Sequence, residues 1–219
     1  MDITALFNLT YGLYIVGAMD GELPVGCVIN TCFQVTSENP ILAISMNKNN
    51  YTLEVIKKTK KFSLSILDEQ TDPSTIGVFG FQSSRTADKY EDYGYTMFGD
   101  VPVVNGKFAG RLSLELLSMA DNETHMVVFA RLVDTIKEEG TPMTYSYYHK
   151  VVKGKAPKSA PTYRANEEVE EVKEEAKPEK KLNRYQCDVC GYVAEVEGEL
   201  PDDFTCPLCK MDRSHFHLI

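Results

Sequence analysis

The sequence predicts a mainly β protein with added helices, in which a barrel-like domain occupies most of the 219 residues and a small four-cysteine metal module follows it. Three observations carry this expectation. Short apolar runs alternate with turn signals through the first 164 residues, without the regular β-α-β alternation of a doubly wound sheet. A strongly charged stretch then interrupts the chain. Two Cys-x-x-Cys pairs come after it.

The strands are expected at Leu13–Val16, Gly26–Asn30, Ile41–Met46, Phe62–Leu67 and Met126–Val133, where apolar and β-branched residues cluster. A helix is expected in NKNNYTLEVIKKTKK. There Leu53, Val55 and Ile56 form an apolar face, Asn50 or Thr52 can cap the start, and lysines gather at the end. A second, polar helix is expected in SSRTADKYED after Phe81. Cys27 and Cys32 are five apart. On one strand they would face opposite sides, so each is expected to be a buried structural thiol, not bonded to the other. The stretch ANEEVEEVKEEAKPEKK holds seven Glu, four Lys and only two Val as large apolar residues, too little apolar surface to offset ordering. The expected organisation is therefore a domain at 1–164, a charged linker at 165–183 and a module at 184–219.

Composition narrows the function. With 43% hydrophobic residues a sizeable core is possible, and a net charge of −9 argues against nucleic acid, whose phosphates need an excess of Lys and Arg. No segment approaches the roughly 20 apolar residues of a membrane span. MDITALFNLTYGLYIV lacks the basic start and small-residue cleavage site of a signal peptide. A cytoplasmic, reducing location is expected, where paired cysteines are metal ligands or redox groups more often than disulfides.

The spacing Cys187-x2-Cys190, fifteen residues, Cys206-x2-Cys209 lets two turns each present two thiolates to one tetrahedral ion. Zinc and iron both accept such a set. Two features lean to iron. From Tyr185 to Ile219 there are seven acids and two bases, a poor nucleic-acid ribbon. Gly191 after Cys190 and Pro207 inside the second pair suit tight turns that aim backbone N–H groups at sulfur and tune a redox metal. YQCDVCGY and LPDDFTCPLCK resemble the two iron-binding knuckles of rubredoxin. The short insert and the absence of Trp make the stretch more similar to the rubredoxin-like module of rubrerythrins. The resemblance implies one Fe per chain on Cys187, Cys190, Cys206 and Cys209.

The larger part lacks the G-x-G-x-x-G and P-loop fingerprints. Three polar clusters stand out: NTCFQVTSENP, SMNKNNYT at a strand-to-helix junction suited to phosphate, and FGFQSSRTADKY. Each alone also fits an ordinary loop, helix cap or solvated face. Together, and with YSYYHKVVKGKAPKSAPTY, they resemble the flavin reductase family of FMN-binding split β-barrels. The combination with a rubredoxin-like tail resembles the high-molecular-weight rubredoxins of anaerobes. That resemblance implies a homodimeric NAD(P)H-dependent FMN oxidoreductase with FMN near the subunit interface, NADH as donor and a flavodiiron-type protein as acceptor, with neither nucleic acid nor membrane as partner. It implies Asn30, Thr31, Cys32 and Gln34 along the isoalloxazine and ribityl chain, and Asn47, Lys48, Asn50 and Thr52 on the phosphate. Ser84, Arg85 and Lys89 would lie close to the flavin or its phosphate, with Ser84 standing where the family often has Gly. Tyr147, Tyr148 and His149 would cover a partner's flavin or pack at the interface. No catalytic residue is assigned. A flexible 17-residue linker would have an r.m.s. span of roughly 23 Å, enough for an iron module to move between FMN and an acceptor. The alternative is a flavin reductase that releases reduced flavin and carries a structural zinc tail. A third possibility is a non-enzymatic flavin-binding barrel with a zinc interaction module.

Overall fold

The structure is a computed structural model and describes residues 4–152, Thr162, 182–188, 193–206 and 212–219. Of the expected charged linker, residues 165–181 lie outside the described residues, as do two of the four paired cysteines, Cys190 and Cys209; the linker's last two residues, Leu182 and Asn183, belong to a strand. The chain forms two compact units, Met1–Ala165 and Asn166–Ile219.

In the first unit, β1 (Tyr14–Asp20) and β2 (Leu23–Ile29) form a hairpin around Gly21. Its φ of 64° is the left-handed value that a two-residue hairpin turn asks of a glycine. The chain continues through β3 (Cys32–Gln34), β4 (Ile41–Asn47), α1 (Tyr51–Thr59), β5 (Lys61–Leu67) and α2 (Pro73–Phe81). A small hairpin, β6 (Tyr95–Phe98) and β7 (Val101–Val104), precedes the long strands β8 (Phe108–Asn122) and β9 (His125–Lys137), and α3 (Tyr145–Lys150) follows.

The main sheet is antiparallel throughout, in the order β2-β1-β5-β8-β9-β4-β3. Its two edge strands, β2 and β3, are joined by only Asn30 and Thr31. A two-residue connection forces the edges to meet, so the sheet curls into a barrel. The edges do not pair with each other, so the barrel is split along that seam.

α1 plugs the barrel against β1 and β2. Leu53, Val55 and Ile56 are fully buried, as the apolar spacing requires, and each contributes roughly 1.5–3 kcal/mol by leaving water. Asn50 is the cap, its side chain accepting from the Thr52 N–H at 2.9 Å, and the helix ends where Lys60 turns left-handed at φ 64°.

Gly17 and Gly26 face each other across β1 and β2. A Cβ on Gly26 would stand 2.7 Å from the Tyr90 hydroxyl and 2.9 Å from the Val16 carbonyl. The missing side chain is what lets Tyr90 pack there.

Three expectations need correction. The polar stretch after Phe81 is a run of turns, and the helix precedes it, at Pro73–Phe81. The Ser83 hydroxyl accepts from the Arg85 N–H and the Asp88 carboxylate from the Tyr90 N–H, so these side chains compete with helical bonding. Asp72 caps α2 and Pro73 fills its first turn, a start signal masked by the glycines that follow. Cys27 and Cys32 are not bonded to each other, as expected, but they sit on different strands, β2 and β3, and Cys32 is only half-buried. Tyr148, expected over a partner's flavin or at the interface, is buried in its own chain's core, in the cluster that includes Leu13, Ile15 and Met143.

The second unit is a three-stranded antiparallel sheet in the order β11-β10-β12: β10 (Leu182–Cys187), β11 (Val193–Glu197) and β12 (Phe216–Leu218). Phe204 meets Phe216 edge to face at 5.2 Å, and Ala194 and Leu200 are buried. Among the described residues, no helix is long and apolar enough to cross a membrane.

Candidate functional site

A cleft of ≈ 220 Å³ opens on the first unit. One wall is β2, at Gly26, Cys27 and Val28. The second is the β4–α1 turn, with Asn47 and Asn49–Tyr51. The third is the end of α2 and the turn after it, Phe79–Ser84. Phe81, 54% exposed, stands at its mouth.

Lys89 closes the cleft and is the most informative residue in it. Its side chain is only 3% exposed. Its ammonium donates to the Gly26 carbonyl at 2.8 Å and the Phe79 carbonyl at 3.1 Å, and lies 5.8 Å from the Phe79 ring centroid. Among the described residues no carboxylate pairs with it. Burial pulls its pKa below the ordinary lysine value, with a smaller opposite pull from the Cys27 thiol. A buried ammonium held only by carbonyls favours an anionic or strongly electron-rich ligand.

Ser84 braces the same edge. Its hydroxyl accepts from the Gly26 N–H at 3.1 Å and donates to the Gly26 carbonyl at 3.0 Å, replacing the strand neighbour that edge strand β2 lacks. Cys27 is buried beside Lys89, Thr52 and Asn50. Burial pushes its thiol up, and those three neighbours pull it back in part. Thr52 Oγ1 is buried with no oxygen or nitrogen partner among the described residues.

Four of the residues singled out in the sequence line the cleft together: Asn47, Asn50, Ser84 and Lys89. Thr52 lies directly behind it. Arg85 lies against its Tyr51 wall, with the guanidinium 4.6 Å from that ring's centroid and 2.6 Å from Glu54. Lys48 is turned to Asp121 on β8 in an exposed ion pair. Asn30 and Thr31 occupy the barrel seam, Cys32 packs half-buried against the core, and Gln34 donates to the Thr36 carbonyl on the exposed β3 edge. Sequence reading assigned no role to Gly26, Val28, Tyr51 and Phe79–Gln82, although Tyr51 and Phe79–Gln82 fall inside two of the polar clusters it singled out. For Gly26 the available signal was a glycine inside a strand, which marks a close approach.

In the second unit, Cys187 and Cys206 are 1% and 0% exposed. Cys187 ends β10 opposite Phe216, and the next N–H, of Asp188, donates to the His215 carbonyl at 2.9 Å. Cys206 directly follows Thr205, which bridges to Asp212 shortly before β12. Cys187 is thus paired directly with β12, and Cys206 follows a residue bridged to the segment that leads into β12. Two buried sulfurs with these turns fit half of a tetrathiolate site, which zinc or iron can use.

The Flavin reductase like domain model matches residues 6–155, and the Rubrerythrin, rubredoxin-like domain model matches residues 185–217. The chain is 37% identical, over its full length and that of the relative, to the High molecular weight rubredoxin of Moorella thermoacetica. It is 32% identical to the Ferric-chelate reductase (NAD(P)H) of Archaeoglobus fulgidus, covering 74% of this chain and 98% of that one. In fold it is similar to an FMN-binding protein from Thermus thermophilus, at TM-score 0.54 and 20% identity over 60% of this chain and 74% of that one. It is also similar to the styrene monooxygenase flavin reductase of Pseudomonas putida S12, at TM-score 0.56 and 18% identity over 64% and 89%. The chain thus belongs to the flavin reductase-like family of split-barrel oxidoreductases, fused at its C-terminal end to a rubredoxin-like domain of the rubrerythrin type.

Proposed function

We propose that the chain is an NAD(P)H-dependent FMN oxidoreductase that takes electrons in pairs from NADH at the cleft and delivers them singly, through a C-terminal iron module, to a flavodiiron-type acceptor protein. The barrel, 1–164, is the flavin domain. The charged stretch 165–183 is its tether, 184–219 is the iron module, and the working form is a cytoplasmic homodimer. The observation that carries this is a cleft closed by a buried lysine that pairs with no carboxylate among the described residues, in the same chain as a module with buried paired-motif thiols.

Bound FMN supplies two-electron acceptance with one-electron release, and iron in four thiolates supplies a one-electron store. The protein's own groups supply binding and orientation. Lys89 offers a fixed positive charge at the floor of the cleft, where it disfavours protonation of an electron-rich ligand edge. Asn47, Asn50 and the first turn of α1 offer amides and backbone N–H groups to a phosphate. Asn50 already satisfies the Thr52 N–H, so Lys48 and Arg85, near the rim, would supply the remaining charge. Phe79 and Phe81 keep one side of the cleft apolar. Cys187, Cys190, Cys206 and Cys209 would hold the metal.

The test is metal and flavin content, then stepwise reduction, of anaerobically purified full-length protein. About one Fe and one FMN per chain are expected, with NADH bleaching the flavin absorbance before the iron absorbance. Cys206→Ser should abolish the iron absorbance and acceptor reduction while leaving flavin bleaching intact. Zinc alone after growth with ample iron, or undiminished acceptor reduction by Cys206→Ser, overturns the proposal in favour of free-flavin release.

A further inference from the structure

We propose that Thr162 is a positioning residue for the flavin cleft, acting through Asn30 at the barrel seam; this rests on the flavin assignment above. Asn30 is one of the two residues that join the edge strands, and it is 4% exposed. Asn30 directly follows β2, two residues beyond Val28 and four beyond Gly26, both of which line the cleft.

The side-chain amide of Asn30 is held at both ends. Its Oδ1 accepts from the Thr31 hydroxyl at 3.1 Å, and its Nδ2 donates to Thr162 Oγ1 at 2.8 Å. Thr162 Oγ1 in turn donates to the Tyr145 hydroxyl at 3.0 Å. The series runs one way, from amide N–H to threonine hydroxyl to tyrosine hydroxyl. In this arrangement Nδ2 faces Thr162 and Oδ1 faces Thr31. Among the described residues one N–H of Nδ2 has no partner, and its direction is set by the two bonds that hold the group, which suits it to a ligand. Its partner in the cleft would be an acceptor atom: a ring nitrogen or carbonyl at the edge of a flat heteroaromatic system, or a polyol hydroxyl beside it.

Thr162 lies 132 residues from Asn30 in sequence and beyond residue 155, where the match to the Flavin reductase like domain ends. The seam of the barrel is therefore clipped by a residue from outside that match. An unclipped Asn30 could rotate about its terminal torsion, and the orientational advantage of a fixed donor would be lost.

The test uses the full-length chain. FMN affinity is measured by fluorescence quenching and the midpoint potential of the bound flavin by redox titration. T162V keeps the shape and removes both hydrogen-bonding roles; T162S keeps them. T162V is expected to weaken FMN about five- to tenfold and to shift the midpoint potential, with T162S within about twofold of wild type. In an N30A background T162V should add no further loss of affinity, because its effect passes through Asn30. Wild-type affinity and potential in T162V, or a T162V loss that persists undiminished beside N30A, overturns the role of Thr162 and leaves the flavin assignment standing. A wild-type chain that binds no FMN overturns the flavin assignment and this proposal together. If T162V does not fold, Y145F carries the test. It keeps the ring beside Tyr11 and His149 and should weaken FMN about two- to threefold; wild-type behaviour overturns the proposal.

Discussion

At Lys89 the sequence and the structure part company in an instructive way. Spacing put Arg85 and Lys89 one helical turn apart, on what alone read as a solvated face. The chain there is a turn, so Arg85 faces solvent with Glu54 while Lys89 enters the core. Lysine burial cannot be seen in composition; it depends on the carbonyls of Gly26 and Phe79, which lie far apart in sequence. Lys48, by contrast, was legible as a cation at a strand-to-helix junction, but its pairing with Asp121 was not. If Lys48 serves the flavin phosphate, Lys48→Ala should weaken FMN about tenfold or more, since a charge-assisted bond contributes roughly 1.5–3 kcal/mol. Asp121→Asn, which removes the competing carboxylate, should leave affinity equal or tighter. Equal FMN affinity in Lys48→Ala and wild type would remove Lys48 from the site. Cys32 yields a pH prediction. Burial pushes its thiol from 9.0 up to about 12, so the native state keeps a proton that the unfolded chain releases. The stability this provides is complete below pH 9 and is lost as pH rises from 9 to about 12. Tyr14, raised by burial and by Cys32 to about 12, acts in the same direction. Denaturant unfolding at pH 7 and pH 10 should show Cys32→Ala losing about 1 kcal/mol less than wild type over that interval. Parallel losses would mean that Cys32 titrates normally.

At the scale of elements, legibility followed amphipathicity. β1, β2, β4, β5 and β9 were visible because each carries a compact apolar run, and α1 because Leu53, Val55 and Ile56 share one face. β8 escaped notice. Over its fifteen residues the burial pattern decays from buried to exposed, so no single period marks it. α2 escaped because Gly77 and Gly80 interrupt an otherwise apolar stretch, and glycine reads as a breaker. The glycines differ in what they do. A Cβ at Gly77 meets nothing within 4 Å, whereas one at Gly26 meets Tyr90, Val16 and Phe79. Gly77→Ala should therefore stabilise the protein by about 0.5–1 kcal/mol through helix propensity and a less flexible unfolded chain. Gly26→Ala should destabilise it by about 1–3 kcal/mol, because backbone and ring must shift. Thermal unfolding midpoints moving in the same direction for both would show that the trough between β1 and β2 is less tightly filled than its geometry states.

At the scale of the whole molecule, the two-part organisation was written in charge and cysteine spacing, and the split of the barrel was not. The seam follows from pairing order: which strands end up at the edges depends on contacts between segments up to 90 residues apart, such as Ile41 with Arg131. The order of electron flow proposed above is likewise a property of the whole chain. Its C-terminal part from 185 to 219 has seven acids and two bases, a net charge of −5. Such a surface speeds encounter with a partner of basic complement more than it tightens the complex. A chain ending at Arg164 retains the cleft residues, Tyr145 and Thr162, so it should still bind FMN and be bleached by NADH. It should fail to drive a flavodiiron-type acceptor. Adding the separate 184–219 module, loaded with iron, should restore part of the rate, and that rate should fall as salt shortens the screening length from about 30 Å at 0.01 M to about 8 Å at 0.15 M. Restoration that ignores salt would argue for a docking surface dominated by apolar contact. A shortened chain that drives the acceptor as fast as the full one would take the metal off the path, and the cleft alone would then deliver reduced flavin to whatever consumes it.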